Sequence, residues 1–108
     1  MDIVVTIPKS EYDNDDKETE YLLNNPDAFQ FWTLNKIPKD LNVGDRVYFV
    51  KNSKIDSSMN VFEIGFGTEH CDVTDRDWFG CILKLNDLEI YKDTIEIKGF
   101  QGYRYRWW

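Results

Sequence analysis

The sequence has few of the residues on which metal sites and catalytic triads depend. Its 108 residues include one histidine, His70, and two cysteines, Cys71 and Cys81. A structural zinc site normally takes four ligands in paired spacing, and a Ser or Cys nucleophile generally needs a positioned imidazole. We therefore expect no metal and no cofactor, and we interpret these three residues as loop or core residues.

Long apolar runs and a dense cysteine framework are also missing. No stretch approaches the ~20 apolar residues of a membrane span, and the first residues, MDIVVTIPKSEYD, lack the basic and apolar regions of a secretory signal. Two cysteines in such a chain are better read as reduced thiols than as a disulfide. These absences predict a cytoplasmic protein with no membrane partner.

Basic residues are scarce relative to acidic ones. There are 13 Lys and Arg residues against 20 Asp and Glu residues, for a formal net charge of −7. Unselective binding to a nucleic acid backbone comes from clustered Lys and Arg, so the balance disfavours it without excluding a local site. Residues 1–40 hold nine acids and four bases, whereas residues 41–108 hold eleven and nine. An acidic N-terminal face that docks on a basic protein partner is therefore a further hypothesis.

What the sequence does contain is typical of a single folded domain over residues 1–108. Hydrophobic residues make up 42% and aromatic residues 16% of the chain, well outside the disordered class. IVVTI, at residues 3–7, is a β-branched run typical of a central strand buried on both faces. Further strands are predicted for the segments FQFWTL, DRVYFVKNSKI with a hairpin turn at Asn52 and Ser53, VFEIGFG, CILKL, LEIYK, TIEIK and the end of the chain.

Helical signals are limited to one or two short segments. Asp15 or Asp16 is expected to cap a helix that ends at Asn24 and Asn25, before Pro26. Thr74 or Asp75 is expected to cap a single further turn. The fold class is thus α+β, mainly β: a small barrel of five to six strands with one or two short flanking helices.

Aromatic residues are the strongest functional signal. The last ten residues, GFQGYRYRWW, alternate rings with arginines and contain no acid. Rings and guanidinium groups are what a nucleic acid strand or an unstacked base needs for stacking and phosphate contact, but they also suit the last strand of a barrel. Alternation places Tyr103, Tyr105 and Trp107 on one face and Arg104, Arg106 and Trp108 on the other. The wider set of candidate rings is Trp32, Tyr48, Trp78, Phe100, Tyr103, Tyr105, Trp107 and Trp108.

Two segments resemble the PUA-like superfamily, specifically small proteins related to ASCH and EVE domains. FWTLNKIPKDLNVGDRVYFVKNSKI is similar to the opening of these domains, and KGFQGYRYRWW is similar to the segment that closes some of them. The resemblance implies a pseudobarrel with a cleft that binds RNA, DNA or a modified base. The cleft residues that it implies are Phe31, Trp32, Arg46, Tyr48, Tyr103, Arg104 and Tyr105, and Arg106 is a second candidate for phosphate contact.

One departure from this family concerns catalysis. Hydrolytic ASCH domains are associated with a Gly-x-Lys-x-x-Glu-x-Arg motif, and the nearest match here is DDKETEYL. Lys17 and Glu20 fit the spacing, whereas Asp15 replaces the glycine and Leu22 the arginine. The first hypothesis is therefore a non-catalytic nucleic-acid or modified-nucleotide binding module. The alternatives are an acidic protein-interaction module of a phage or mobile element and a small nucleoside or RNA hydrolase that uses Lys17 and Glu20.

Overall fold

Six β-strands and one α-helix make up the computed structural model, which describes residues 1–34, 36–71 and 75–108. Within these ranges the side chains of residues 68, 69, 71, 76–79, 93 and 94, including that of Trp78, lie outside the description. The elements are β1 (Ile3–Thr6), α1 (Tyr12–Asn24), β2 (Gln30–Leu34), β3 (Arg46–Lys51), β4 (Lys54–Cys71), β5 (Arg76–Glu96) and β6 (Tyr103–Tyr105). The predicted mainly β class, with six strands and a flanking helix, is confirmed.

The strands form one curled half-barrel sheet in the order β2-β5-β4-β3-β1-β6. Strand β1 is central, as predicted, because Ile3 pairs with Val47 of β3 on one side and with Tyr105 of β6 on the other. The edge strands are β2 and β6, yet Leu34 of β2 and the three residues of β6 line one groove. The curl of the sheet therefore brings its two edges towards each other.

The sheet has two differently covered faces. On the helix-covered face, Ile3, Val5, Val47 and Phe49 pack with Leu22 of α1 in the larger buried cluster. The alternate residues of the same strands point to the second face, where a smaller buried cluster contains Val4, Tyr48, Val50 and Ile55. Because β1 and β3 are buried on both faces, their sequences are continuous apolar runs rather than alternating ones.

The hairpin between β3 and β4 is the predicted one. Asn52 and Ser53 both have positive φ angles, 55° and 60°, as a two-residue type I′ turn requires. The turn pairs Lys51 with Lys54, and β4 then runs for 18 residues. The predicted VFEIGFG strand is therefore part of a much longer one.

Strand β5 corrects the sequence interpretation of the segments CILKL, LEIYK and TIEIK. These are not three strands but parts of one strand of 21 residues. The Asn86 and Asp87 pair does not reverse the chain: Asn60 pairs with Asn86 and Ser58 with Glu89, so two residues of β5 oppose one of β4. Asp87 has a φ of 54° at this β-bulge, which bends the strand without ending it.

The helix also begins earlier than expected. It starts at Tyr12 after a 3-10 turn over Lys9–Glu11, so neither Asp15 nor Asp16 caps it. Its predicted end is confirmed, because Asn25 donates a side-chain hydrogen bond to the Tyr21 carbonyl at 2.9 Å. Strand β5 follows Asp75 directly, so no helical turn starts there, and Thr74 lies outside the described residues.

Candidate functional site

The residues predicted to form one cleft are divided among several surfaces. Trp32 packs on the helix-covered face, with its ring 5.3 Å from that of Phe49. Phe31 contacts Phe29 at 5.4 Å, and Phe31 and Trp32 both line a cavity beside α1. Trp32 therefore shares the helix-covered face with Tyr103 and Tyr105 but not with Tyr48, which lies on the second face.

Strand β6 contributes to a second surface. Tyr103 and Tyr105 also pack against the helix-covered core, while together with Arg104 they line the groove between the two sheet edges. The Tyr105 hydroxyl accepts a hydrogen bond from the Asp40 backbone at 3.0 Å. Tyr103 and Tyr105 thus share one face of β6, as strand alternation predicts, and that face is the helix-covered one.

Arg46 makes its contacts within the protein. Its Nε donates to Ser58 Oγ at 2.9 Å, and Nη2 donates to the Ser58 and Asp87 carbonyls at 3.0 and 2.7 Å. Nη1 lies 3.1 Å from the Asp87 carboxylate, and the side chain is only 18% exposed. The guanidinium group therefore joins β3 to the β5 bulge, an arrangement that favours a structural role.

Tyr48 and Arg106 do come together, on the second face. Arg106 Nη1 donates to the Tyr48 hydroxyl at 2.8 Å and lies 3.3 Å from Asp2 Oδ2. The guanidinium carbon also lies 5.0 Å from the Tyr48 ring centroid and 5.2 Å from that of Trp108. Within this arrangement cation–π contacts position the arginine between two rings.

Five rings form a continuous surface around this contact, which we call the aromatic ridge. In order of contact they are Phe100, Trp107, Trp108, Tyr48 and Tyr91, with successive ring centroids 6.5, 5.1, 5.3 and 6.2 Å apart. Trp107 is 53% exposed and Trp108 38% exposed, whereas Tyr48 is buried. The exposed part of the ridge is thus its two indoles, whereas Tyr48, Tyr91 and Phe100 belong to or pack against the second buried cluster.

A shallow cavity of about 180 Å³ lies at the Tyr91 end of the ridge. Its walls include the rings of Tyr48, Tyr91 and Trp108 together with the Arg106 side chain. At the other end, the guanidinium carbon of exposed Arg104 lies 4.5 Å from the Phe100 ring. Both arginines of GFQGYRYRWW therefore contact the aromatic ridge.

The glycines of this segment explain how it reaches the second face. A Cβ atom at Gly99 would come within 3.1 Å of the Thr6 methyl group, and the next residue, Phe100, donates its backbone N–H to Thr6 Oγ1. Gly102 has a φ of 73°, in the left-handed region that favours glycine, immediately before β6. The two glycines allow the close approach and the turn that seat Phe100 on the sheet.

The end of β6 corrects one prediction about facing. Pairing with β1 ends at Tyr105, and the last backbone hydrogen bond runs from Arg106 to Asp2. Strand alternation therefore stops there, and Trp107 does not share a face with Tyr103 and Tyr105. It contacts Phe100 and Trp108 instead.

The electrostatics of the ridge involve the Tyr48 phenol and a paired arginine. Burial raises the pKa of the Tyr48 phenol above its usual value, although the Arg106 charge acts in the opposite direction. Tyr48 is consequently neutral near pH 7 and accepts the arginine hydrogen bond. Arg106 Nε is buried and has no hydrogen-bond partner in the described part of the chain.

Sequence reasoning missed Tyr91 in this group. Its hydroxyl lies 2.6 Å from Ser58 Oγ, and its ring stacks on Tyr48 with an interplanar angle of 16°. No local pattern marks Tyr91, because its position follows from the register of β4 and β5. Trp107 and Trp108 belonged to the wider aromatic set but not to the implied cleft.

The two residues that match the hydrolase spacing lie elsewhere. Lys17 and Glu20 are both exposed on α1, where they line a shallow groove with Tyr21, Asn24 and Asn25. The aromatic ridge lies on the opposite face of the sheet from this helix. The two residues are therefore not part of the ridge.

Searches of protein-family models, curated proteins and solved structures found no match for this chain.

Among residues 1–34, 36–71 and 75–108, no helix is long and apolar enough to cross a membrane. The same residues contain no group of three His, Cys, Asp or Glu side chains that could hold a metal ion.

Proposed function

We propose that the protein binds single-stranded nucleic acid or a modified nucleotide by stacking its bases on the aromatic ridge. The observation that carries this proposal is the pair of exposed, mutually contacting indoles, Trp107 and Trp108, with two arginines stacked on the same run of rings. A single-stranded base presents a flat π-face that such rings accept without sequence preference. Exposed apolar patches on folded proteins commonly mark binding sites.

The ridge offers separate groups for the base and the phosphate. Stacking on an exposed indole contributes roughly 1 to 3 kcal/mol per base. Arg106 is already paired with Asp2, so Arg104, which is exposed, is the better phosphate contact. We therefore expect nucleotides to bind more tightly than the corresponding nucleosides, by a margin that depends on Arg104.

The acidic charge of the molecule limits the length of strand that binds. The net charge is −7, and much of it is carried by the N-terminal third of the chain. A long strand that reached these acids would be repelled, whereas a short one confined to the ridge would not. Short oligonucleotides should therefore bind with modest dependence on salt.

The resemblance to PUA-like domains supports the same proposal. Its first segment, residues 31–55, includes β2 and β3, and its second is the closing KGFQGYRYRWW; the two segments provide Tyr48 and Arg106, which contact each other. We propose that the half-barrel is a PUA-like pseudobarrel. Phe31 and Trp32, which the resemblance also implies, do not lie on the ridge and are not part of the proposed site.

The test compares two exposed rings. Binding of a fluorescein-labelled hexanucleotide and of nucleotide monophosphates is measured by anisotropy and calorimetry for Trp107→Ala and for Phe66→Ala. Phe66 is an exposed ring on β4 outside the ridge. We expect Trp107→Ala to weaken binding about tenfold, in line with the loss of one stacking contact. Phe66→Ala should have no effect.

A companion measurement isolates the phosphate contact. In Arg104→Ala the affinity difference between nucleotide and nucleoside should disappear, while nucleoside binding should remain. The proposal is wrong if no oligonucleotide, nucleotide or nucleoside binds at millimolar concentration. It is equally wrong if Trp107→Ala and Phe66→Ala change the affinity by the same factor.

A further inference from the structure

The cavity at the Tyr91 end of the aromatic ridge contains an unused hydrogen-bond donor. Arg106 lines this cavity, and its Nη1 donates to the Tyr48 hydroxyl at 2.8 Å and lies 3.3 Å from Asp2 Oδ2. Its Nε, in contrast, is buried and has no partner among the residues that the structure describes. Buried side-chain donors in folded proteins are nearly always paired, so an orphaned one indicates a place for a ligand atom.

Arg106 has a second free nitrogen, Nη2. No described residue accepts a hydrogen bond from Nη2, which unlike Nε is not fully buried. Nε and Nη2 form one edge of the planar guanidinium group, and an N–H bond of each points away from that edge in parallel. The free edge is therefore a fork of two donors that fits two acceptors lying side by side.

The other walls of the cavity suit a flat aromatic group. They include the rings of Tyr48, Tyr91 and Trp108 and the side chains of Ile55 and Ile95. The Tyr48 and Tyr91 rings lie within 16° of parallel. The cavity volume is about 180 Å³. Since sites for drug-sized ligands span about 300 to 1,000 Å³, this one suits a single ring system rather than a whole nucleotide.

The charges around the fork favour a neutral ligand over an anion. The positive charge of Arg106 is already paired with Asp2. A second acid, Glu89, lies with Oε2 3.3 Å from the Tyr91 hydroxyl and is only loosely paired, with Arg46 Nη2 at 3.9 Å. A phosphate or carboxylate on the fork would be repelled by these two acids, whereas a neutral group with two acceptors would not.

Guanine is the nucleobase whose edge matches this fork. Its N7 and O6 atoms are adjacent acceptors, and a bidentate arginine on them is the commonest specific contact to a base. Adenine has an amino donor in place of O6, which would meet a donor of the arginine. Cytosine also presents an amino donor, and thymine presents a single acceptor on the corresponding edge.

We propose that the cavity selects guanine, with Arg106 Nε and Nη2 donating to O6 and N7 while the cavity rings contact the base. This inference rests on the nucleobase proposal above and adds a base preference that stacking alone does not provide. Arg104 lies at the other end of the ridge, beside Phe100, and remains the phosphate contact. In a bound strand the selected guanine and the phosphate at Arg104 therefore belong to different nucleotides.

The probes are four fluorescein-labelled thymidine hexanucleotides that differ in one internal base, which is guanine, hypoxanthine, 7-deazaguanine or adenine. Hypoxanthine retains N7 and O6, 7-deazaguanine lacks N7, and adenine lacks O6. All four can stack on the exposed indoles. By anisotropy, we expect the guanine and hypoxanthine strands to bind within about twofold of each other and the other two about tenfold more weakly, as for loss of a bidentate arginine contact.

A spectroscopic measurement on the unchanged protein follows the donor directly. In ¹H–¹⁵N correlation spectra the Arg106 Nε–H signal should shift saturably with the guanine strand and remain in place with the 7-deazaguanine strand. Because this readout requires no substitution, it does not depend on whether a variant folds.

The variants compare the two arginines of the ridge. Arg106→Lys retains a positive charge beside Asp2 but removes the fork, so the preference for guanine over adenine should fall below about twofold. Arg104→Lys is the same substitution at the exposed arginine and should leave that preference unchanged. The thermal midpoint verifies that each variant is folded.

Three results would overturn guanine selection. The first is equal affinity for the guanine and adenine strands. The second is a loss with hypoxanthine as large as that with adenine, which would assign the contact to the guanine amino group. The third is an Arg106 Nε–H signal that does not move in saturating guanine strand.

The same titrations separate this inference from the nucleobase proposal. Equal binding of all four strands, weakened by Trp107→Ala, would leave the stacking proposal standing without base selection. A guanine preference that is lost in Arg106→Lys but unaffected by Trp107→Ala would support the cavity and contradict stacking on the exposed indoles. Binding by none of the four strands would overturn both.

Discussion

The two faces of the sheet are built from alternate residues of the same strands but differ in what covers them. Val47 and Phe49 point to the face under α1, whereas Tyr48 and Val50 point to the second face, against which Tyr91, Ile97 and Phe100 pack. The covered face contains a larger set of fully buried side chains. On the second face two indoles are exposed to solvent. The difference in burial between the two faces distinguishes side chains that stabilise the fold from side chains that a ligand could reach.

The faces also differ in charge. Carboxylates of α1 line the cavity on the covered side, and Arg104 and Arg106 stack on the ridge of the second face. Each side nevertheless carries charges of both signs, since Lys51 pairs with Asp15 and Asp16 beside α1 and Asp2 pairs with Arg106 on the second face.

The largest effect on stability should come from a substitution that leaves a cavity in the core of the covered face. Leu83 is fully buried in β5 on that face. Leu83→Ala should lower the free energy of unfolding by about 2 to 5 kcal/mol, because it leaves a cavity in a packed core. Trp107→Ala should lower it by about 1 kcal/mol or less, since half of the ring is already in solvent.

Urea denaturation followed by circular dichroism measures both variants. Equal destabilisation by Leu83→Ala and Trp107→Ala would mean that the ridge is a second core rather than a binding surface. The proposed difference between the two faces would then be wrong, and the nucleobase proposal would lose its main support.

A smaller effect should distinguish the two kinds of arginine. Arg46→Ala should cost about 2 to 3 kcal/mol, because it removes charged hydrogen bonds and leaves the buried Ser58 hydroxyl with fewer partners. Arg104→Ala should cost about 1 kcal/mol or less, since its exposed guanidinium group stacks on only one ring. Thermal unfolding of the two variants at equal salt tests this. A loss for Arg104→Ala as large as that for Arg46→Ala would contradict the division of roles.

Much of the fold could be predicted because local patterns agree with the structure. The β-branched run of β1 and the turn residues Asn52 and Ser53 each indicate one conformation, and the Asn24 and Asn25 pair marks the helix end. The Asn86 and Asp87 pair misleads because a β-bulge and a reversing turn both use residues that tolerate positive φ. The start of α1 is ambiguous since six acids occur between residues 11 and 20.

The site was less predictable because its contacts are long-range. Tyr48 meets Arg106 only because β1 lies between β3 and β6, and a sequence pattern cannot show that order. Tyr91 joins them through the pairing of β4 with β5, after a register shift. Trp32 has the same local signature as these rings but lies on the other face. The aromatic and arginine content of the sequence therefore predicted the types of side chain that form the ridge, but it did not predict which residues form it.

The smallest effect concerns the charge of the covered side. Burial raises the pKa of the Asp56 carboxyl; a Ser57 hydrogen bond opposes the shift, and the nearby Asp15 charge adds to it. A raised pKa in the folded state means that folding favours the protonated form. The stability contribution of Asp56 is thus fully present below its unfolded pKa of about 3.9 and is lost as pH rises through the folded value.

Asp56→Asn should consequently stabilise the protein at pH 7, by less than about 1 kcal/mol, and the gain should vanish near pH 3. The asparagine oxygen can still accept the 3.0 Å hydrogen bond from Ser57 Oγ, so geometry is preserved. Asp27→Asn, at an exposed loop position, controls for the change in net charge. Unfolding curves at pH 7 and pH 3 test this prediction. A gain in stability that persists at pH 3, or that appears equally in Asp27→Asn, cannot come from removing the charge of the half-buried Asp56 carboxylate. Either result would mean that the acidic residues on the covered side act as ordinary exposed surface charges.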